Sequence, residues 1–252
     1  MPQTPKVSML MATYNSAATL EKCLASIEGQ SWGNVELIIM DGGSKDGTQD
    51  ILSRHSSRIA YWESKPDKGV YHAWNKAFDH FTGDWFGFIG SDDAFTHPKV
   101  LENAMAVASS RQEVRLITGL INQVDGQGNI TRVIGRRWDW ATMKRYHSVP
   151  HPGMLQHRTL FETHGRFSEE YRIAADYEYM LRFGPDIPNA FIPEPLVDMG
   201  NQGLSRKQIK KVFRETLQIQ SRHPEIGAGL ARYNFVLAYA KNRVRDLLQR
   251  QY

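Results

Sequence analysis

The chain reads as an α/β fold on a doubly wound parallel sheet, and three observations predict it. Residues 7–12 and 35–40 are apolar runs, interrupted only by Ser8 and Glu36, that end abruptly in polar or glycine-rich residues, the pattern of strands covered on both faces. Helix-like stretches follow each run, so strands and helices alternate. Clusters of acidic or small polar residues come directly after the apolar runs, at the strand ends where open α/β sheets gather their ligands.

Taken in order, residues 16–29 carry Ala17, Leu20, Cys23, Leu24 and Ile27 at three- and four-residue spacing, which predicts a helix stopped by Gly29. Cys23, the only cysteine, falls on that apolar face, so packing is its expected role. Alone it closes no intrachain disulfide, which suits a reducing compartment. The second strand runs into Asp41-Gly42-Gly43-Ser44-Lys45-Asp46-Gly47-Thr48, followed by a helix near 49–53 and a short strand over 59–63. A third helix is expected at 71–81, and a strand at 85–89 stops at Gly90-Ser91-Asp92-Asp93. Residues 114–134 then turn strand-like about a hairpin turn at 125–129. An aromatic and basic stretch at 138–146 leads to His151-Pro152-Gly153, and a helix is expected over 174–183. Pro185, Pro188, Pro193 and Pro195 punctuate a loop-and-strand segment up to Asn201, and residues 205–252 read as helices broken near His223-Pro224.

Composition narrows the class. With 41% hydrophobic and 23% charged residues in 252, the chain is neither disordered, collagenous nor a coiled coil. No apolar stretch approaches the roughly 18 residues that cross a bilayer, and the N-terminal segment lacks a signal-peptide core. A cytoplasmic location is the expectation.

Asp92 and Asp93 follow a hydrophobic strand and are hard oxygen ligands, suited to Mg²⁺ or Mn²⁺ shared with substrate phosphates. An acidic turn, or a cap for the helix starting near Pro98, explains the same pair. Asp41 ends an apolar strand ahead of three glycines in six residues, a loop that permits close backbone approach to a ligand. Its carboxylate suits a base or ribose, while a structural turn is the plain alternative. The loop lacks both the GxGxxG fingerprint and a P-loop, which removes the main support for dehydrogenase and NTPase readings.

Taken together, Ala12-Thr13-Tyr14-Asn15, the 41–48 loop, Pro66-Asp67-Lys68-Gly69-Val70-Tyr71 with Asn75-Lys76, Thr82-Gly83-Asp84-Trp85, and Gly90-Ser91-Asp92-Asp93 resemble, in their order, the motifs of family 2 glycosyltransferases. The resemblance covers about residues 5–200 and lies nearest the bacterial branch of exopolysaccharide, O-antigen and colanic-acid type. It implies a GT-A fold, Rossmann-like, with a mostly parallel sheet flanked by helices and a C-terminal helical extension. It further implies an inverting transfer of one sugar from a nucleotide-diphosphate sugar, UDP being the commonest, to a hydroxyl of a glycan or polyprenyl-diphosphate-linked saccharide.

By that resemblance Thr13 and Asp41 lie against base and ribose, and Asp67, Lys68 and Gly69 close over the nucleotide. Asp93 is the more direct ligand of Mn²⁺ or Mg²⁺, with Asp92 nearer the ribose or sugar. Asp176, in Ala174-Ala175-Asp176-Tyr177-Glu178, occupies the position of the general base. His151 is a lesser candidate for the metal, the alternative being a hydrogen-bonded structural histidine. Three positions depart from the family pattern: Gly90 and Ala175 stand where acids are usual, and His72 where the nearest branch often has one. The QxxRW motif and membrane helices of processive synthases are missing, which favours single-sugar transfer. A silent nucleotide-sugar or glycan-binding module, or a basic membrane-associated adaptor, is the rival reading.

The expected organisation is a catalytic domain over 1–204, with a nucleotide-sugar half at 1–110 and an acceptor half at 111–204, and a basic tail at 205–252. Arg136, Arg137, Lys144 and Arg145 interleave with Trp138, Trp140 and Tyr146, a composition suited to sugar rings and phosphates. Single-stranded nucleic acid would suit it too, but no recognised nucleic-acid module accompanies it and no such partner is expected. The tail holds eleven Lys and Arg against three acids, a net of +8, so the preceding 204 residues carry −4 of the chain's +4. Leu230, Tyr233, Leu237, Ala240, Val244 and Leu247 form one apolar stripe with bases around it. Such a helix lies on the anionic inner face of a membrane, packs on its own domain, or makes a dimer contact.

Overall fold

In the computed structural model, residues 4–200 and 208–249 are described. Asn201, the expected boundary at 204/205 and the first bases of the tail lie outside them, as do the side chains of Val244 and Leu247. The apolar runs form β1 (Val7–Thr13) and β2 (Val35–Asp41), parallel neighbours in a register that sets Thr13 beside Asp41. Side chains of successive strand residues point to opposite faces. Val7, Met9, Met11, Leu37 and Ile39 accordingly share one core with Cys23 and Leu24 of α1 (Leu20–Glu28), while Leu10, Ile38 and Met40 enter the other.

The N-terminal half continues with α2 (Thr48–Arg54), β3 (Tyr61–Ser64), α3 (Val70–Ala77) and β4 (Trp85–Phe88), then β5 (Ala94–Phe95) and α4 (Val100–Ser110). The second half holds β6 (Leu116–Val124), β7 (Ile130–Ile134), α5 (Trp140–Met143), β8 (Leu155–His157), α6 (Arg158–His164), α7 (Ala175–Leu181) and β9 (Asn189–Met199). Two helices close the chain, α8 (Ile209–Arg222) and α9 (Gly227–Gln249).

One sheet runs β3-β2-β1-β4-β8-β6-β9-β5, with β7 paired to β6. Its first four strands are parallel, but β8 runs antiparallel to both β4 and β6, and β5 antiparallel to β9. Gly87 on β4 allows that change of direction. A Cβ there would stand 2.8 Å from a Leu155 methyl and 2.9 Å from the Met154 carbonyl oxygen, so only glycine lets β8 close. Beyond β4, Phe88 bridges to Pro152 and carries His151 over the sheet. β9 keeps Pro193 and Pro195 through register shifts against Gly119, Leu120 and Ile121, because proline cannot donate to the ladder and survives at a bulge.

The last two described helices pack against α7 and the segment before it. Ile219, Ile226 and Ala231 share a core with Tyr171, Tyr177 and Met180. Gln220 donates to the Tyr177 hydroxyl (2.9 Å) and the Arg145 carbonyl (3.1 Å), and Asn234 donates to Gln220 and to the Lys144 carbonyl.

Candidate active site

Three loops at the C-terminal ends of β1, β2 and β4 meet. Asp41 is fully buried, and its carboxylate shapes its own loop: it accepts from the Gly43 N–H (3.1 Å), the Ser44 N–H (2.9 Å) and the hydroxyls of Ser44 and Ser64. Thr13 beside it is also buried, and its hydroxyl has no protein partner. An unpaired buried hydroxyl costs about 1–3 kcal/mol, and this one stands at a strand end beside Asp41. Tyr14 next to it is 65% exposed.

The 66–70 loop folds onto this floor. A Cβ on Gly42 would lie 3.0 Å from Asp67 Oδ2 and 3.2 Å from the Tyr14 ring, so the missing side chain admits both. Asp67 Oδ1 accepts from the Gly69 N–H (2.7 Å), and Gly69, at φ +122°, turns the chain into α3. Lys68 is exposed there, beside a small cleft of about 40 Å³ that this loop shares with Glu169, Tyr171 and Arg172.

At the end of β4, Asp92 and Asp93 converge on Gly90. The position of a Cβ on that glycine is 2.9 Å from Asp93 Oδ2 and 3.1 Å from Asp92 Oδ1, which an acid at this position could not satisfy without a shift of the turn. Asp93 is 4% exposed and is held by the N–H groups of Gly90 (2.9 Å) and Gly200 (3.1 Å). Burial first, and then the neighbouring Asp92, raise its carboxyl to about 7. Asp93 is thus a buried carboxyl beside the half-buried Asp92, and burial together with that like charge disfavours its ionised form.

Asp176 lies in the first turn of α7, 18% exposed. Its Oδ1 accepts from the Tyr177 N–H (2.8 Å) and lies 3.0 Å from the Tyr71 hydroxyl, which is also 2.6 Å from the Ile173 carbonyl oxygen. Burial, then the Asp176 charge, push the Tyr71 phenol well up, so it stays protonated. Oδ2 faces His147, whose Nδ1 is 3.9 Å away while its ring stacks on Tyr177. One oxygen is thus pinned and the other open. Tyr71 belongs to α3, so the same helix that begins at the Asp67 loop also orients Asp176.

His151 lies on the side of Asp176 and His147. Its ring stacks on Phe88 (centroids 4.7 Å) and tilts against Trp74 (5.1 Å), both ring nitrogens lack protein partners, and burial holds the imidazole neutral at about 4. The charges that act on it are Asp176 and His147, not Asp92 or Asp93. His157 and Arg158 are structural: His157 caps α6, and the Arg158 guanidinium binds the Gly83 carbonyl over the Phe81 ring. In the basic-aromatic stretch Trp138 is buried, while Trp140 and Lys144 bind Glu225, which ties that segment to the C-terminal helices. Tyr146 remains exposed.

Sequence reasoning assigned no role to His147, and Tyr71 figured only as part of a motif.

A family model described as "Glycosyl transferase family 2" matches residues 8–165. A PGL/p-HBAD biosynthesis glycosyltransferase of Mycobacterium bovis (strain BCG / Pasteur 1173P2) is 30% identical over 231 residues, 86% of this chain and 86% of the relative. Among solved structures, S. aureus TarS 1-349 in complex with UDP-GlcNAc superposes with a TM-score of 0.71 at 15% identity, over 91% of this chain and 70% of that one. A longer TarS chain is spanned to 39%. A mannosyltransferase, PcManGT from Pyrobaculum calidifontis, in complex with GDP-Man and Mn²⁺, gives a TM-score of 0.63 at 19% identity, over 86% and 64% of the two chains.

Proposed function

Since the chain belongs to glycosyl transferase family 2 and is a glycosyltransferase, we propose that it moves one sugar from a nucleotide-diphosphate sugar, a UDP-sugar, to a hydroxyl of a glycan or polyprenyl-diphosphate-linked saccharide, with inversion and with Asp176 as general base. The observation that carries this reading is the split of Asp176: one oxygen pinned by Tyr71 and Tyr177, the other open. An inverting transfer needs one base on the face of the sugar opposite the leaving group. Oδ2 takes the proton of the acceptor hydroxyl while its oxygen bonds to C1, and the C1–phosphate bond breaks with its electron pair going to the diphosphate.

Thr13, the loop built on Asp41, and the Asp67-Lys68-Gly69 turn hold the nucleoside and its phosphates in this reading. Asp92 and Asp93 fit Mn²⁺ or Mg²⁺. Among the described residues no three His, Cys, Asp or Glu side chains cluster for a metal, but these ions need only one or two carboxylates when phosphates complete the shell. When bound, such an ion neutralises the charge that grows on the diphosphate.

Thermal shifts with UDP, GDP, dTDP and CMP, each with and without Mn²⁺, test the donor site, since a ligand that prefers the folded state raises the melting temperature. UDP with Mn²⁺ is expected to give the largest rise, and no rise with any of the four rejects the nucleotide reading.

For the acceptor side we propose contact with an anionic inner-membrane surface through the basic tail. No described helix is long and apolar enough to cross a membrane. On α9, however, Leu230, Tyr233, Val236, Leu237 and Tyr239 are exposed together with Arg232, Lys241 and Arg243. An apolar strip flanked by bases binds at the headgroup level of anionic lipid. The protein is expected to float with vesicles containing phosphatidylglycerol and to stay behind with phosphatidylcholine alone. Equal behaviour in both rejects membrane docking.

A further inference from the structure

We infer that Glu215, on the penultimate helix, is a positioning residue for Asp176. Its carboxylate is 6% exposed and accepts three successive backbone N–H groups, those of Arg172 (3.1 Å), Ile173 (2.8 Å) and Ala174 (3.0 Å). These are the last three peptides before α7, whose N-cap residue, Ala174, makes no side-chain cap. A buried carboxylate from a helix about forty residues on therefore anchors the segment that leads into α7. Hydrogen bonds to an ionised acceptor are about twice as strong as neutral ones, and three on one carboxylate fix the loop as a unit.

The connection reaches the base through one peptide. The Ile173 N–H binds Glu215, while the Ile173 carbonyl oxygen lies 2.6 Å from the Tyr71 hydroxyl, which is 3.0 Å from Asp176 Oδ1. The order is thus Glu215, Ile173, Tyr71, Asp176. A second tie runs in parallel, from Gln220 to the Tyr177 hydroxyl one residue past the base. Lys211, four residues before Glu215, approaches it only to 3.9 Å, so the backbone N–H groups are the main partners of this carboxylate.

The inference rests on Asp176 being the base, and the test separates the two. Glu215→Gln keeps the size of the side chain but turns an amide N–H₂ toward an N–H donor, while Glu215→Ala removes all three contacts. The first readout needs no substrate: the side-chain carboxyl ¹³C signal of Asp176 in the full chain. Glu215→Gln is expected to move that signal as Tyr71→Phe does, and the double variant to move it no further. The second readout is release of nucleoside diphosphate from UDP-GlcNAc or GDP-mannose with water as acceptor. Here kcat is expected to fall about tenfold to a hundredfold with KM unchanged, because misplacement by about 1 Å is enough for such a loss. In an Asp176→Asn background, Glu215→Gln is expected to have no further effect on kcat, whereas a purely structural role would lower it again. An Asp176 signal in folded Glu215→Gln equal to that of the wild type overturns the inference and leaves the base assignment standing. An Asp176→Asn protein with undiminished release removes the base assignment itself.

Discussion

Asp176→Asn is expected to lower kcat for sugar transfer by about 10²–10⁴-fold, the range in which a positioned base contributes, while leaving nucleotide binding unchanged. The geometry makes this substitution informative. Asparagine has the shape of aspartate, and its carbonyl oxygen still accepts from the Tyr177 N–H and reaches the Tyr71 hydroxyl. What it loses is the second oxygen, the one that faces His147, and an amide N–H₂ there has no lone pair for an acceptor proton. The fold and the donor loops are untouched, so a thermal shift with nucleoside diphosphate and Mn²⁺ equal to that of the wild type is the accompanying expectation. A variant that turns over at the wild-type rate would place the base elsewhere, His147 being the next group in reach.

Asp93→Asn is expected to abolish the Mn²⁺-dependent part of the thermal shift and to reduce kcat/KM by about a hundredfold or more, as loss of several kcal/mol of charge stabilisation requires. The neutral side chain keeps one acceptor for the N–H groups of Gly90 and Gly200 and turns an amide toward the other. It also ends the repulsion with Asp92 that, after burial, holds the Asp93 carboxyl high. The metal-free variant is therefore expected to melt no lower than the wild type, which separates loss of the cation from loss of the fold. If Mn²⁺ shifts Asp93→Asn as strongly as the wild type, the carboxylate pair is not the metal's seat.

The fold was legible in the sequence wherever the chain is locally consistent. β1 and β2 are apolar runs interrupted only by Ser8 and Glu36, and α1 carries a clean apolar face, so their type follows from the local pattern. The antiparallel joints were not legible, because β8 has three residues and β5 two, too few to show a period, and they pair through register set by Gly87 and by the neighbours of β9. The acids at strand ends announced themselves by position and by the glycines around them. Tyr71 and Glu215 gave no such signal. An inward tyrosine on a helix looks like core, and Glu215 looks like one of three acids in a basic tail. Their meaning comes from backbone groups they reach across 102 and 43 positions at most, which no local pattern encodes.

The anchor that Glu215 places on the base loop also sets an order of events while the chain is being made. Ala174 emerges 41 residues ahead of Glu215, and at roughly 5–20 residues per second the loop waits about 2–8 s for its acceptor. The strands that carry Thr13, Asp41 and Asp93 have already left by then. In the proposed reading, the residues for the nucleotide are therefore made before the carboxylate that positions the base, and donor binding precedes transfer as the chain grows.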